Sequence, residues 1–173
     1  MIILIGASAT GKTEVGKLLD SKYDIMKVVT YTTRPIRVGE VDGVDYHFLT
    51  KEEFIELKDN DFFFEWMEYN NNYYGTSRES LIFDSYLILD FNGLKKYKAS
   101  NIKSTAFYFT CKKDIRLDRM LYRGDSLENA KKRIEVDDEA FTDEIKKYVD
   151  HVIDVSSTSL DDVTKMVYEL YKK

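Results

Sequence analysis

The chain is short of the residues that staple or interrupt small proteins. It has one cysteine, Cys111, and one proline, Pro35, in 173 residues. A single thiol closes no internal disulfide, which excludes a disulfide framework and fits a reducing compartment. One proline leaves no Pro-rich hinge. Long apolar runs are missing. The N-terminal stretch MIILIG is too short for a signal peptide's apolar region or a membrane span. Surplus positive charge is missing too. The net charge of −5 argues against bulk nucleic-acid affinity, so any basic site must be local. These absences lead us to expect a soluble, cytoplasmic protein with no nucleic-acid, membrane or obligate protein partner. An apolar fraction of 43% excludes disorder. The length suits one domain with a real core.

Residues 2–5, Ile-Ile-Leu-Ile, form an unbroken apolar run, as expected of a strand buried on both faces. After Gly6–Gly11, the segment KTEVGKLLDSKY places Val15, Leu18 and Leu19 at helical spacing. Further strand-like runs are SYLILD at 85–90, TAFYFT at 105–110 and HVIDV at 151–155. Ser159 precedes a C-terminal amphipathic helix carrying Leu160, Val163, Val167 and Leu170. Alternating strands and helices predict an α/β domain with a mostly parallel sheet. The middle reads differently. VVTYTT (28–33) and segment 44–49 read as strands, and Thr50 with Glu53 makes a capping box for a helix over 51–58. FFFEWMEY and NYYGTS flank Asn70-Asn71-Asn72, which reads as a hairpin turn.

Gly6-Ala7-Ser8-Ala9-Thr10-Gly11-Lys12-Thr13 fits G-x-x-x-x-G-K-[ST], the P-loop pattern, between a buried strand and a helix. Its backbone N–H groups and the helix N-terminus suit phosphate oxygens. Lys12 supplies a point charge to the β- and γ-phosphates, and the Thr13 hydroxyl suits Mg²⁺. Leu87-Ile88-Leu89-Asp90 reads as a strand ending in a metal-side carboxylate, acting through water.

Arg34 and Arg37 lie beside Pro35 in TRPIRVGEVDGVDYHF, residues 33–48. Arginine forks suit bidentate phosphate recognition, and Tyr46 and Tyr74 add phenol donors. Thr-Thr-Arg, then Arg37-x-Gly39-Glu40-x-x-Gly43-x-Asp45-Tyr46-x-Phe48, Glu65-Trp66 and Tyr73-Tyr74-Gly75-Thr76, resemble the guanylate kinase family over essentially the whole chain. The resemblance implies a P-loop NTPase-type parallel sheet core flanked by helices, with a small α+β GMP-binding insertion and a helical lid. The boundaries read as core 1–30, 80–112 and 140–173, insertion about 31–79, and lid about 113–139. The implied reaction is ATP + GMP giving ADP + GDP, with Mg²⁺ as cofactor and the two nucleotides as the only partners.

Residue by residue, the resemblance places Arg34, Arg37, Tyr46 and Tyr74 on the GMP phosphate. It places Glu65, Thr76 and Thr30 around the guanine, with Asp90 nearby. Guanine offers N1–H and N2–H on one edge, and a carboxylate accepts both. Adenine presents a lone pair at N1 to the same carboxylate, which is a costly mismatch. In RLDRMLYRGDSLENAKKRIE (116–135), Arg123 and Arg133 are implied to approach the ATP phosphates, with Arg119 alongside. Lys12, Arg34, Arg123 and Arg133 would then neutralise charge during transfer.

Three departures stand out. Pro35 follows the first arginine, as in guanylate-kinase-like binding modules. Phe91-Asn92-Gly93 follows Asp90 without a second acid. The segment from Thr76 to Asp90 is short by roughly one helical turn. A weakly catalytic binding module and a ribose bisphosphate kinase are therefore alternatives. Gly11, Lys12, Thr13 and Thr30 argue against the first, and Glu65 with Thr76 against the second.

Overall fold

The computed structural model describes residues 1–69, 71–80, 84–100 and 102–173. The chain begins with β1 (Ile2–Gly6), α1 (Lys12–Tyr23) and β2 (Met26–Lys27). Then come β3 (Tyr31–Thr32), β4 (His47–Phe48), α2 (Lys51–Asp59), β5 (Phe63–Tyr69) and β6 (Asn72–Ser77). There follow β7 (Ser85–Ile88), α3 (Phe91–Ala99), β8 (Thr105–Thr110), α4 (Lys113–Tyr122) and α5 (Leu127–Ala140). A 3-10 turn (Asp143–Lys147), β9 (His151–Asp154) and α6 (Leu160–Tyr171) complete it. These elements form two compact units, Met1–Lys27 with Asp84–Lys173, and Val28–Phe83.

The first unit holds a parallel five-stranded sheet in the order β2-β7-β1-β8-β9. Its central strand is the apolar run: Ile2, Ile3, Leu4 and Ile5 are fully buried, as covering both faces of a sheet with helices demands. Val15 and Leu19 of α1 and Val163 and Val167 of α6 pack into the same core. Gly16 lets α1 approach β7. A Cβ there would lie 2.3 Å from the Tyr86 ring. Ser159 caps α6 by accepting the Asp162 N–H. Segment 113–139, expected as a lid, is α4 and most of α5, and clusters with this unit.

The second unit holds a mixed four-stranded sheet in the order β4-β3-β6-β5. It starts at Val28 and runs to Phe83, a few residues wider than the insertion expected at 31–79. Its core is aromatic. Phe54 of α2 stacks on Phe63 at 4.4 Å and Tyr73 at 5.3 Å. Both halves of the Thr50–Glu53 capping box are present.

Three strand expectations are trimmed. Of 28–33 only Tyr31–Thr32 forms a strand, and of 44–49 only His47–Phe48, with Tyr46 in an isolated bridge to Asp42. The backbone just beyond still bonds along the same pair, as in Leu49 N–H to Thr32 O at 2.9 Å. Strand 85–90 stops at Ile88 because Asp90 turns to cap α3. At the hairpin tip Asn72 already pairs with Tyr69, and Asn71 adopts φ 60°. Asn70 lies outside the described residues. Among the described residues, no helix is long and apolar enough to cross a membrane.

Candidate active site

The loop from Gly6 to Gly11 joins the central strand to α1. Gly6 has φ 155°, and a Cβ there would lie 2.6 Å from the Phe109 carbonyl oxygen, so only glycine fits. No side chain caps the N-terminus of α1 or of α4, whereas Thr50, Asp90, Ser126 and Ser159 cap α2, α3, α5 and α6. The N–H groups of α1's first turn therefore have no side-chain acceptor, the arrangement that suits an anion. Lys12 Nζ donates to Gly6 O at 2.6 Å, Ala7 O at 2.8 Å and Thr10 Oγ1 at 3.3 Å. Burial pushes the Lys12 ammonium down to about 8. The Asp137 carboxylate opposes that shift, while the guanidinium groups of Arg116, Arg123 and Arg133 add to it. Thr13 is exposed on the first turn of α1.

The arginines of α4 and α5 divide their work. Arg119 Nη1 donates to Ala9 O at 3.1 Å, and its Nη2 to Val155 O at 3.2 Å. It therefore holds main chain beside the loop. Arg123, half-exposed, pairs with Asp125 at 2.5 Å. Arg133 is half-buried, and its charge reaches Lys12. Sequence reasoning missed Arg116 and Asp137. They form a buried pair at 2.6 Å, with side chains 5% and 6% exposed, and both bond to Ser8. Nothing in the sequence separates Asp137 from its neighbour Asp138.

Asp90 accepts the Gly93 N–H at 2.8 Å through Oδ1. It is thus the N-cap of α3, and Asn92 stands where a second acid was looked for. Among the described residues no three acids, histidines or cysteines gather as a metal cage. Thr13 Oγ1 and a carboxylate oxygen of Asp90 are hard donors. So sparse a set suits Mg²⁺, which keeps waters and substrate phosphates as its remaining ligands.

In the second unit the stretch TRPIRVGEVDGVDYHF is tied at its start. Thr32 Oγ1 donates to Tyr73 O at 3.0 Å and accepts the Arg34 N–H at 3.1 Å. The Tyr73 N–H donates to Thr33 Oγ1 at 2.9 Å. The Arg34 fork donates to Pro35 O at 2.7 Å and to both oxygens of Glu40 at 2.7 and 3.0 Å. Glu40 also accepts the Arg37 N–H at 2.8 Å. Burial pulls the Glu40 carboxyl up, but Arg34 and the Arg37 N–H outweigh it and hold it below the usual carboxylate range. The Arg34 guanidinium lies 5.5 Å from the Tyr46 ring centre, and Tyr46 meets Tyr74 edge-on at 6.3 Å. Burial first, then Tyr74, pushes the Tyr46 phenol up, so it stays a donor. The Arg37 side chain is exposed.

Glu65 is a carboxylate at a core position. It is 5% exposed and pairs in register with Thr76, itself 1% exposed. The Thr76 hydroxyl donates to Glu65 Oε1 at 2.5 Å. That hydroxyl hydrogen was expected to serve guanine; here it orients the acid. A β-bulge between Phe63 and Glu65 kinks β5 immediately before the acid, a feature alternation could not reveal. Thr30 is half-buried, and its carbonyl accepts the His47 N–H at 2.8 Å.

The guanylate kinase family model matches residues 1–173. A guanylate kinase of Onion yellows phytoplasma is 36% identical over 145 residues, covering 78% of this chain and 68% of that protein. One of Helicobacter hepaticus is 36% identical over 133 residues, covering 71% of this chain and 66% of that protein. The chain thus spans about two thirds of the length of these relatives. The crystal structure of guanylate kinase from Anaplasma phagocytophilum has a TM-score of 0.68 at 22% identity. It covers 99% of this chain and 84% of that one, and so bears on the fold. With a family model matched from end to end and a phosphate loop and a buried acid at the positions described, the chain belongs to the guanylate kinase family.

Proposed function

We propose that this protein transfers the γ-phosphoryl group of ATP to GMP, giving ADP and GDP, with Mg²⁺. The observation that carries the reading is Glu65. It is a buried carboxylate oriented by the Thr76 hydroxyl, and its acceptor oxygens match the two N–H donors that a guanine edge presents. Thr30 supplies a hydroxyl for O6.

The acceptor phosphate is received by Arg34, Arg37, Tyr46 and Tyr74. It is itself the nucleophile, so no general base is needed. The donor phosphates lie along the 6–13 loop. Lys12 contributes charge to their outer oxygens, and Arg123 and Arg133 add to it from the lid, 113–139. Arg119 supports the loop from Ala9 O. Thr13, with Asp90 through water, would hold Mg²⁺, which supplies charge neutralisation. Closing the lid keeps water from the γ-phosphate.

A coupled assay with ATP and each of GMP, AMP, CMP and UMP tests this. ADP should form with GMP far faster than with the others. No ADP with GMP overturns the reading, and equal rates with AMP overturn the role of Glu65.

A further inference from the structure

Arg116 and Asp137 occupy positions where a helix normally presents apolar side chains. The buried positions of α4 are Arg116 and Met120, four apart on one stripe. Those of α5 are Ala130 and Asp137, seven apart on one stripe. A charged residue on each core-facing stripe breaks the local pattern. A buried ion pair is a poor way to add stability compared with apolar packing.

The geometry shows where the pair acts. The Ser8 N–H donates to Asp137 Oδ2 at 2.8 Å. Arg116 Nη2 donates to the same oxygen at 2.6 Å, and Arg116 Nε donates to Ser8 O at 2.9 Å. The ring is closed: loop N–H, carboxylate, guanidinium, loop C=O. The Ser8 hydroxyl adds a longer bond to Oδ1 at 3.3 Å. Ser8 is thus gripped on both of its peptide groups, by helices more than 100 residues away in sequence.

The next residue explains the need. Ala9 has φ 61°, a left-handed conformation that costs an L-residue about 1–2 kcal/mol. Such a residue persists only where its surroundings over-determine it. Here Arg116 holds the carbonyl before it and Arg119 the carbonyl of Ala9 itself.

We propose that Arg116 and Asp137 are positioning residues that clamp the phosphate loop at Ser8 and set the strained turn that receives the donor phosphates. The donor role rests on the function proposed above; the clamp itself does not.

The test uses Asp137→Asn, Arg116→Lys and the double variant Arg116→Met/Asp137→Leu, which refills the site with apolar bulk. Hydrogen exchange of the peptide spanning residues 6–12 reads the loop without any nucleotide. It should quicken at least about 10-fold in Asp137→Asn and in the double variant. ATP dissociation constants and KM should rise by about 10-fold or more, while the GMP KM stays within about twofold. The double variant should regain melting temperature without regaining ATP affinity. Unchanged loop exchange in the folded double variant overturns the clamp, whatever the nucleotide data show. Equal rises in ATP and GMP KM, tracking lost melting temperature, also overturn it, because a merely structural pair behaves so. Faster exchange with no ATP binding even by the unaltered protein leaves the clamp standing and sinks the donor reading instead.

Discussion

Each unit sets a carboxylate against an arginine at its candidate phosphate site, and the two pairs are built for different ends. Asp137 and Arg116, 6% and 5% exposed, close on main chain. Glu40 and Arg34, 18% and 11% exposed, also reach main chain, at the Arg37 N–H and Pro35 O, but only within their own loop and nearer water. Where the backbone itself is to bind, as in a phosphate loop, its shape must be held, and a deeply buried ring does that. Where a side chain is to bind, it needs a resting partner that an incoming phosphate can rival. A pair nearer water rearranges at lower cost than a buried one.

The comparison breaks first at Lys12. Its ammonium contacts three loop oxygens, yet the role proposed for it is to meet phosphate. Lys12→Ala should lower kcat by about 10²–10³-fold while circular dichroism and melting temperature stay close to the unaltered protein's. Full activity would show that the loop works by backbone alone. In the second unit the equivalent lever is Glu65. Glu65→Gln should reduce kcat/KM for GMP by about 10- to 100-fold, since one buried acceptor becomes a donor facing donors. The ATP KM should hold. An unaltered GMP profile would remove the guanine role from Glu65.

How much of this was readable from residues alone differs between the units. In the first, the apolar run 2–5, the loop and α1 fell where expected, because burial on both faces and the glycine spacing are local signals. In the second, the capping box and the hairpin strands were readable for the same reason. The bulge before Glu65 was not, since an extra strand residue leaves no mark in a pattern of alternation. Nor was the Arg116–Asp137 ring, which depends on contacts across 108 and 129 residues. Asp90 carries a second task for a subtler reason. An acid after an apolar strand reads alike whether or not it also caps the next helix, and the cap shows only in the Gly93 N–H.

A smaller effect separates fold from site within the second unit. Thr50 and Glu53 exchange bonds at the start of α2, at 3.2 and 2.7 Å. Thr50→Ala should cost about 1 kcal/mol in chemical denaturation. If α2 serves only to seat Phe54 against Phe63, kinetic constants at 25 °C should not move. A changed GMP KM would mean that the helix also sets the site.

The finest discrimination concerns Glu40 and acid. Its folded value lies below the ordinary carboxylate value of about 4.3, because Arg34 and the Arg37 N–H favour the ionised form. A group whose value is lowered by folding contributes stability that is complete above the unfolded value. That stability is lost as pH falls through the folded one. The gap in unfolding free energy between the unaltered protein and Glu40→Gln should therefore be widest near neutrality. It should narrow steadily as pH drops below the ordinary carboxylate range. The same variant should raise the GMP KM by a few fold and leave the ATP KM alone, since Arg34 loses the partner that aims it. A gap that stays constant with pH would mean that Glu40 holds Arg34 by shape and not by charge. The second unit's pair would then resemble the first unit's ring more closely than its exposure suggests.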